Sequence, residues 1–220
     1  MSRVTIAETS TTPSKRQDDA RERVLAAAYD LFRRAGTRNV GVDRIVERSG
    51  VAKMSLYRHF KSKEGLVAAF LERREELWTI GWLKAQVFTR AAAPADRLLA
   101  VFDVFDEWFR SADFDGCTFI NVLLEYPSDH PTHARAALHL SKMRSFVRQL
   151  AREAAIADPR TFAETWDAMM KGAVVAACEG NLNAARQIKI AAELFLIARL
   201  PSGAKLARHR PAATVVAAYP

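Results

Sequence analysis

Apolar residues recur along this chain at intervals of three and four, and alternating apolar and polar runs are nearly absent. That is the periodicity of amphipathic helices, not of half-buried strands. Val24, Leu25, Ala28, Leu31, Phe32 and Ala35 share one face of a first helix predicted over 14–35. Ser14 and Gln17 make a capping box at its start, Asp18 and Asp19 suit its first turn, and Gly36 ends it. A short helix over 42–49 is expected to bury Val42, Ile45 and Val46, and Gly50 breaks it. A second short helix, over 52–59, carries Leu56 and ends near Phe60. Ser62 then caps a long helix over 63–88 whose inward face is Leu66, Val67, Phe70, Leu71, Leu77, Trp78, Trp82 and Ala85.

Prolines punctuate the rest. Pro94 suits the first turn of a helix over 94–111, with Leu98, Leu99, Phe102, Phe105 and Phe109 inward. Asp113 to Gly116 read as a loop. Residues 117–126 are apolar enough for a strand, but so short a run among helices is read as a short buried helix. After a turn from Pro127 to Pro131, helices are expected at 131–156, 160–179 and 182–199. The polar residues 1–13 and the stretch 201–220 are read as tails, the first disordered. With 39 alanines and no internal repeat, the fold class is all-α.

Composition narrows the function. Half of the 220 residues are apolar and 26% are charged, a globular balance. The two cysteines, Cys117 and Cys178, cannot build a disulfide framework or a CxxC zinc module. No stretch approaches the ~20 apolar residues of a membrane span, and no apolar core follows the N-terminal charges as in a signal peptide. The expectation is a cytoplasmic protein with no membrane partner. The net charge is +8, and residues 1–65 hold 14 Lys/Arg against 8 Asp/Glu while the remainder holds 19 against 17. A small basic binding module on a near-neutral body would give that asymmetry, as would an arm that only solubilises.

The segment 42–60, VDRIVERSGVAKMSLYRHF, places two short helices around a Gly-containing turn and reads as helix-turn-helix. Val42, Ile45, Val46, Val51, Leu56 and Phe60 can form its core. Lys53, Met54, Ser55, Tyr57, Arg58 and His59 are then left to face outward, a dense set of donors on barely two turns that suits a major groove. A two-helix corner in any all-α protein has the same spacing.

The run GVAKMSLYRHFKSKEGL resembles the helix-turn-helix signature of the tetracycline-repressor (TetR) family, G-V-S/T-K/R-G-T/S-L-Y-x-H/Y-F-x-S/T-K-E-x-L. Gly50, Val51, Lys53, Ser55, Leu56, Tyr57, His59, Phe60, Ser62, Lys63, Glu64 and Leu66 all agree, and LFRRAG at Leu31–Gly36 is similar to the end of the family's first helix. The resemblance implies a homodimer with one helix-turn-helix per subunit. It puts Lys53, Ser55, Tyr57, His59 and Lys63 at DNA-contacting positions, with Lys and Tyr on phosphates. Met54 stands where the family has Gly and is expected to reach a base edge or thymine methyl; Arg58, at a variable position, is expected to read guanine. Val40 and Gly41 stand where the family often has two Thr/Ser, and Ala52 where it has a capping Ser/Thr. Arg38, Arg44 and Lys61 are expected to supply the phosphate contacts those hydroxyls would have made.

In the body, Trp82, Phe102, Phe105, Phe119, His139, Met143, Trp166, Met169 and Met170 are candidates for a ligand cavity, with Asn121, Glu125 and His139 as its polar lining. The resemblance implies a pocket in that region; plain core packing accounts for any one of these residues. Cys117 opens a predicted helix, where the dipole would lower a thiol pKa and suit a redox sensor; a buried inert thiol is the other reading. Asp129, His130 and His133 around Pro131 read as a solvated turn, since helical ligand spacing is missing. No catalytic triad, phosphate loop or paired carboxylate appears, so neither an enzyme nor a cofactor is expected. The last two helices are apolar nearly all round and carry a ridge of small residues. Phe162, Ala173, Ala177, Ile188, Ala192 and Phe195 are taken as a four-helix dimer interface.

Together these readings predict a helix-turn-helix domain over 14–62 and a ligand-binding and dimerisation body over 63–200. The expected function is a ligand-responsive transcriptional regulator: a repressor released from a near-palindromic double-stranded operator by a small molecule. A helical sensor without sequence-specific DNA binding is the alternative.

Overall fold

A computed structural model describes residues 13–203 and residue 206. Among them every regular element is helical, and the chain divides into two compact units between Phe70 and Leu71. Of the tails expected at 1–13 and 201–220, residues 1–12, 204, 205 and 207–220 lie outside the described residues, as do the side chains of the Ser14/Gln17 capping box.

The first unit holds α1 (Pro13–Ala35), α2 (Val42–Ser49), α3 (Lys53–Phe60) and the start of α4 (Lys63–Arg74). Its core is built from Val24, Leu25, Ala28, Leu31 and Phe32 of α1, Ile45 of α2, Leu56 and Phe60 of α3, and Leu66, Val67 and Phe70 of α4. The Phe70 ring meets those of Tyr29 and Phe32 edge-on at 5.5 and 5.4 Å. Those contacts carry the first two turns of α4 into this unit, so its edge falls later than residue 62. Val42 and Val46, expected in the core, are only half-buried; Val51 is buried as expected, and Val40 and Thr37 are buried as well.

The second unit holds the rest of the long helical run, then α6 (Pro94–Phe109), α7 (Thr118–Glu125), α8 (Pro131–Glu153), α9 (Pro159–Cys178) and α10 (Ala184–Ile197). Pro94, Pro131 and Pro159 each open a helix, where the missing N–H costs nothing. Asp158 caps α9 by accepting from the Thr161 N–H at 3.1 Å. Helix α6 is the central element: it packs on α8, α9 and α10, and Phe102, Trp108 and Phe109 are fully buried. Each such side chain contributes roughly 1.5–3 kcal/mol. Lys189 ties α10 to α6 through both carboxylate oxygens of Asp103, at 2.6 and 2.8 Å.

The regular helix expected over 63–88 is a correction. Helix α4 gives way to a π-helical segment, Glu75–Lys84, before α5 (Ala85–Arg90). Wider i→i+5 turns shift the inward face. Glu75, Trp78, Thr79, Trp82 and Leu83 become buried, while Leu77 and Ala85, expected inward, are exposed.

Candidate nucleic-acid interface and ligand cavity

Gly50, at φ 62°, makes the turn between α2 and α3, and its N–H donates to Val46 O at 3.0 Å. Both helices start without a side-chain cap, at Gly41 and at Ala52. Ala52 offers only its carbonyl, to the Ser55 and Leu56 N–H groups. Val40 is wholly buried, so that position serves the core, where a hydroxyl would need a partner. Ser62 does cap α4, accepting from the Gly65 N–H at 3.1 Å. Gly65 has a steric role the sequence did not reveal: a Cβ there would collide with the Phe60 carbonyl oxygen. The missing side chain lets α4 leave directly from the end of α3.

With Leu56 and Phe60 buried, α3 turns Lys53, Met54, Tyr57 and Arg58 to the surface. Met54 is 80% exposed, an apolar side chain standing in solvent on the first turn. Lys53 pairs with Asp43, which raises its pKa. Arg58 donates to Ser55 Oγ at 3.1 Å, and Lys61 Nζ to the Arg58 carbonyl at 3.1 Å. Arg38 and Arg44 are exposed, adding positive charge beside α2. Ser55, His59 and Lys63 are half-buried. The His59 ring lies against Phe60, and Lys63 Nζ donates to the Arg38 carbonyl at 3.3 Å.

The second unit contains a cavity. Its wall is Trp78 and Thr79 from the π-helical segment, Phe105 and Trp108 from α6, Cys117, and Phe119 and Ile120 from α7. His139, Leu140 and Met143 of α8 and Asp167, Met170, Lys171 and Val174 of α9 complete it. The space open to a water-sized molecule is about 40 Å³, room for a few waters. The Trp78 and Trp108 rings are tilted at 58° with centroids 4.7 Å apart, and His139 stacks on Phe119 at 5.1 Å. His139 Nδ1 lies 2.8 Å from Glu75 Oε2, which Lys142 Nζ also meets at 2.5 Å. Burial holds the His139 pKa below its ordinary value despite the Glu75 carboxylate. The ring is therefore neutral near pH 7, with its proton on Nδ1 facing the carboxylate. Asp167 and Lys171 pair at 2.7 Å. The buried Trp78 Nε1–H has no hydrogen-bond partner among the described residues, an arrangement that costs about 1–3 kcal/mol.

Of the residues expected in a cavity, Phe105, Phe119, His139, Met143 and Met170 come together here, and six do not; Met169 packs half-buried against the core. Trp166 is enclosed between Phe162 and Phe102, so both Trp166 and Phe102 are core. Trp82 packs behind Trp78. Asn121 is exposed and donates to Asp115 O at 3.3 Å. Glu125 ends α7 away from the wall. Trp78, Thr79, Trp108 and the Asp167–Lys171 pair were not anticipated; the pair's i,i+4 spacing inside an apolar stripe was the available signal. Cys117 lines the cavity with its thiol pKa raised by burial, which outweighs the nearby N–H groups of Ile120 and Phe119. His130 Nδ1 caps α8 at the Thr132 N–H, and the His133 Nδ1–H donates to the Leu123 and Tyr126 carbonyls.

Four of the six expected dimer residues are enclosed within the unit. Phe162, Ala173, Ala177 and Ala192 are buried inside the unit, with Ile188 and Phe195 half-buried against the same core. Phe162 and Phe195 stack on each other at 5.1 Å. The opposite side of α9 and α10 exposes Val175, Ile190, Leu194 and Ile197, with Ile190 and Leu194 each 67% exposed. No helix among the described residues is long and apolar enough to cross a membrane.

Residues 24–70 match the family model described as bacterial regulatory proteins, tetR family. Over 153 residues the chain is 24% identical to the HTH-type transcriptional regulator YjdC of Escherichia coli (strain K12), covering 69% of this chain and 80% of that protein. Its fold is similar to that of SCO4454, a TetR-family transcriptional regulator from Streptomyces coelicolor. There the TM-score is 0.72 at 27% identity, over 83% of this chain and 97% of that one. It is also similar in fold to SmeT in complex with triclosan, with TM-score 0.67 at 19% identity over 89% and 98% of the two chains.

Proposed function

We propose, from the premise that this chain belongs to the TetR family of transcriptional regulators, that it is a cytoplasmic, non-enzymatic repressor. A small molecule bound in the second unit releases it from a near-palindromic operator. The observation that carries the reading is α3 itself: Lys53, Met54, Tyr57 and Arg58 exposed together on a helix fixed by Leu56 and Phe60. In a groove, Lys53 and Tyr57 meet phosphates, with Arg38, Arg44, Lys61, Ser55, His59 and Lys63 around them. Arg58 reads guanine and Met54 a thymine methyl.

The working unit is a homodimer, which places two such helices about one DNA turn apart. Its supporting feature is the apolar stripe Ile190, Leu194 and Ile197 with Val175, spaced along one face and open to a second copy. The effector site is the aromatic cavity. An effector larger than a few waters must widen that cavity, so it binds an opened state better than the closed one. The wall that yields includes the π-helical segment, in the same helical run that begins at Lys63, directly after α3. The triclosan bound by SmeT, a chain of similar fold, supports a small-molecule effector.

The uncapped starts of α2 and α3 at Gly41 and Ala52 favour the second reading, a helical sensor without sequence-specific DNA binding. Selection of bound fragments from random duplex DNA decides between them. The repressor reading expects a two-fold-related motif, and recovery of unrelated sequences favours the sensor.

A further inference from the structure

We propose that the cavity takes an uncharged, flat aromatic molecule bearing a hydroxyl group, anchored by His139 Nε2 as acceptor and by the Trp78 Nε1–H as donor. The inference rests on the effector reading above and gives it a ligand class.

Shape comes first. The wall presents a cluster of rings, with Trp78 4.7 Å from Trp108 and 6.4 Å from Phe105, those two 5.6 Å apart, and Phe119 from α7 on the same wall. Aromatic walls favour a flat ring stacked or edge-on against them.

Charge comes second. The acidic and cationic side chains on the wall are Asp167 and Lys171, and they neutralise each other at 2.7 Å. The other nearby carboxylate, Glu75, is outside the wall and is held by His139 and Lys142. A charged ligand would have to break a pair or lie unpaired in an apolar setting.

Hydrogen bonding comes third. Glu75 fixes the His139 proton on Nδ1, so Nε2 carries a free lone pair on the ring edge turned away from Glu75. His139 lines the cavity and Glu75 does not, so we assign that edge to the ligand. Burial keeps the ring neutral, which preserves Nε2 as an acceptor. Trp78 Nε1–H is buried, lines the same cavity, and has no partner among the described residues. A hydroxyl both donates and accepts, so one hydroxylated ring answers both groups. A plain hydrocarbon answers neither, and a carboxylate offers no proton to Nε2.

The test uses the full chain and calorimetric titration with four probes: 4-ethylphenol, ethylbenzene, 4-ethylbenzoate and 4-ethylbenzylammonium. The phenol is expected to bind at least about tenfold more tightly than each of the others. His139→Phe keeps the stack on Phe119 but removes the acceptor; Trp78→Phe keeps an aromatic wall but removes the donor. In each, the advantage of the phenol over ethylbenzene shrinks while ethylbenzene binding persists, which also shows that the variant cavity is folded. Equal binding of phenol and hydrocarbon, tighter binding of a charged probe, no binding by any probe, or an advantage that survives both substitutions overturns the proposal. Operator affinity measured in parallel separates the two readings. A phenol that binds as described yet leaves DNA affinity unchanged upholds the ligand class and removes the regulatory role.

Discussion

Lys53 Nζ lies 2.7 Å from Asp43 Oδ1, tying the first residue of α3 to the second residue of α2. The carboxylate raises the Lys53 pKa, chiefly through their hydrogen bond, so the ammonium stays charged. Both side chains are solvent-exposed, and such pairs break at little cost. A DNA phosphate can therefore take the place of Asp43, whose own negative charge opposes it. Asp43→Asn is expected to tighten operator binding by about two- to tenfold, and Lys53→Ala to weaken it and flatten its salt dependence. Fluorescence anisotropy over a salt series checks both. A weaker Asp43→Asn protein would mean that the pair organises α3 instead of restraining it.

Gly65→Ala is expected to destabilise the first unit by about 2–4 kcal/mol, because the new Cβ meets a backbone carbonyl that no rotamer change can move. The thermal unfolding of the first unit should shift down, and DNA binding should fall with it. A variant with wild-type melting would show that the α3–α4 junction yields more easily than its geometry suggests.

His139 makes stability depend on pH. Its folded pKa is below the ordinary value of 6.5, chiefly through burial, with Lys142 adding to the shift and Glu75 and Glu72 opposing it. Between the two values the unfolded chain binds more protons than the folded one, so stability rises with pH. Its contribution is full above pH 6.5 and is lost as pH falls through that value towards the folded pKa. Urea midpoints at pH 7.5 and 5.5 should differ less in His139→Gln than in the wild type. An unchanged difference would assign the slope to other groups.

Leu194→Glu puts a charge in the middle of the exposed α10 stripe while leaving the buried Ala192 and Leu196 untouched. It should raise the dimer dissociation constant by at least about 100-fold, read by sedimentation. A variant that stays dimeric would place the partner elsewhere.

Much of this architecture is legible in the sequence. Pro94, Pro131 and Pro159 mark helix starts because a first-turn residue needs no N–H, and Gly50 marks the turn because the backbone there is left-handed. The outward set on α3 followed from which residues Leu56 and Phe60 must bury. Periodicity cannot reveal the π-helical segment, since it assumes 3.6 residues per turn; it puts Trp82 on the cavity wall, where Trp78 and Thr79 stand instead. Nor could it choose the inward side of α10, a helix with apolar residues on both. Phe195 points to Phe162 and Leu194 to solvent, and only packing decides between them.

Whether α3 reads DNA is decided at Tyr57. Its side chain is exposed on the same helix as Met54 and Arg58. Titration of a duplex recovered by selection should show Tyr57→Ala binding about tenfold more weakly than wild type, with unchanged helicity and dimer mass. Equal affinity of the two proteins for that duplex would contradict the account.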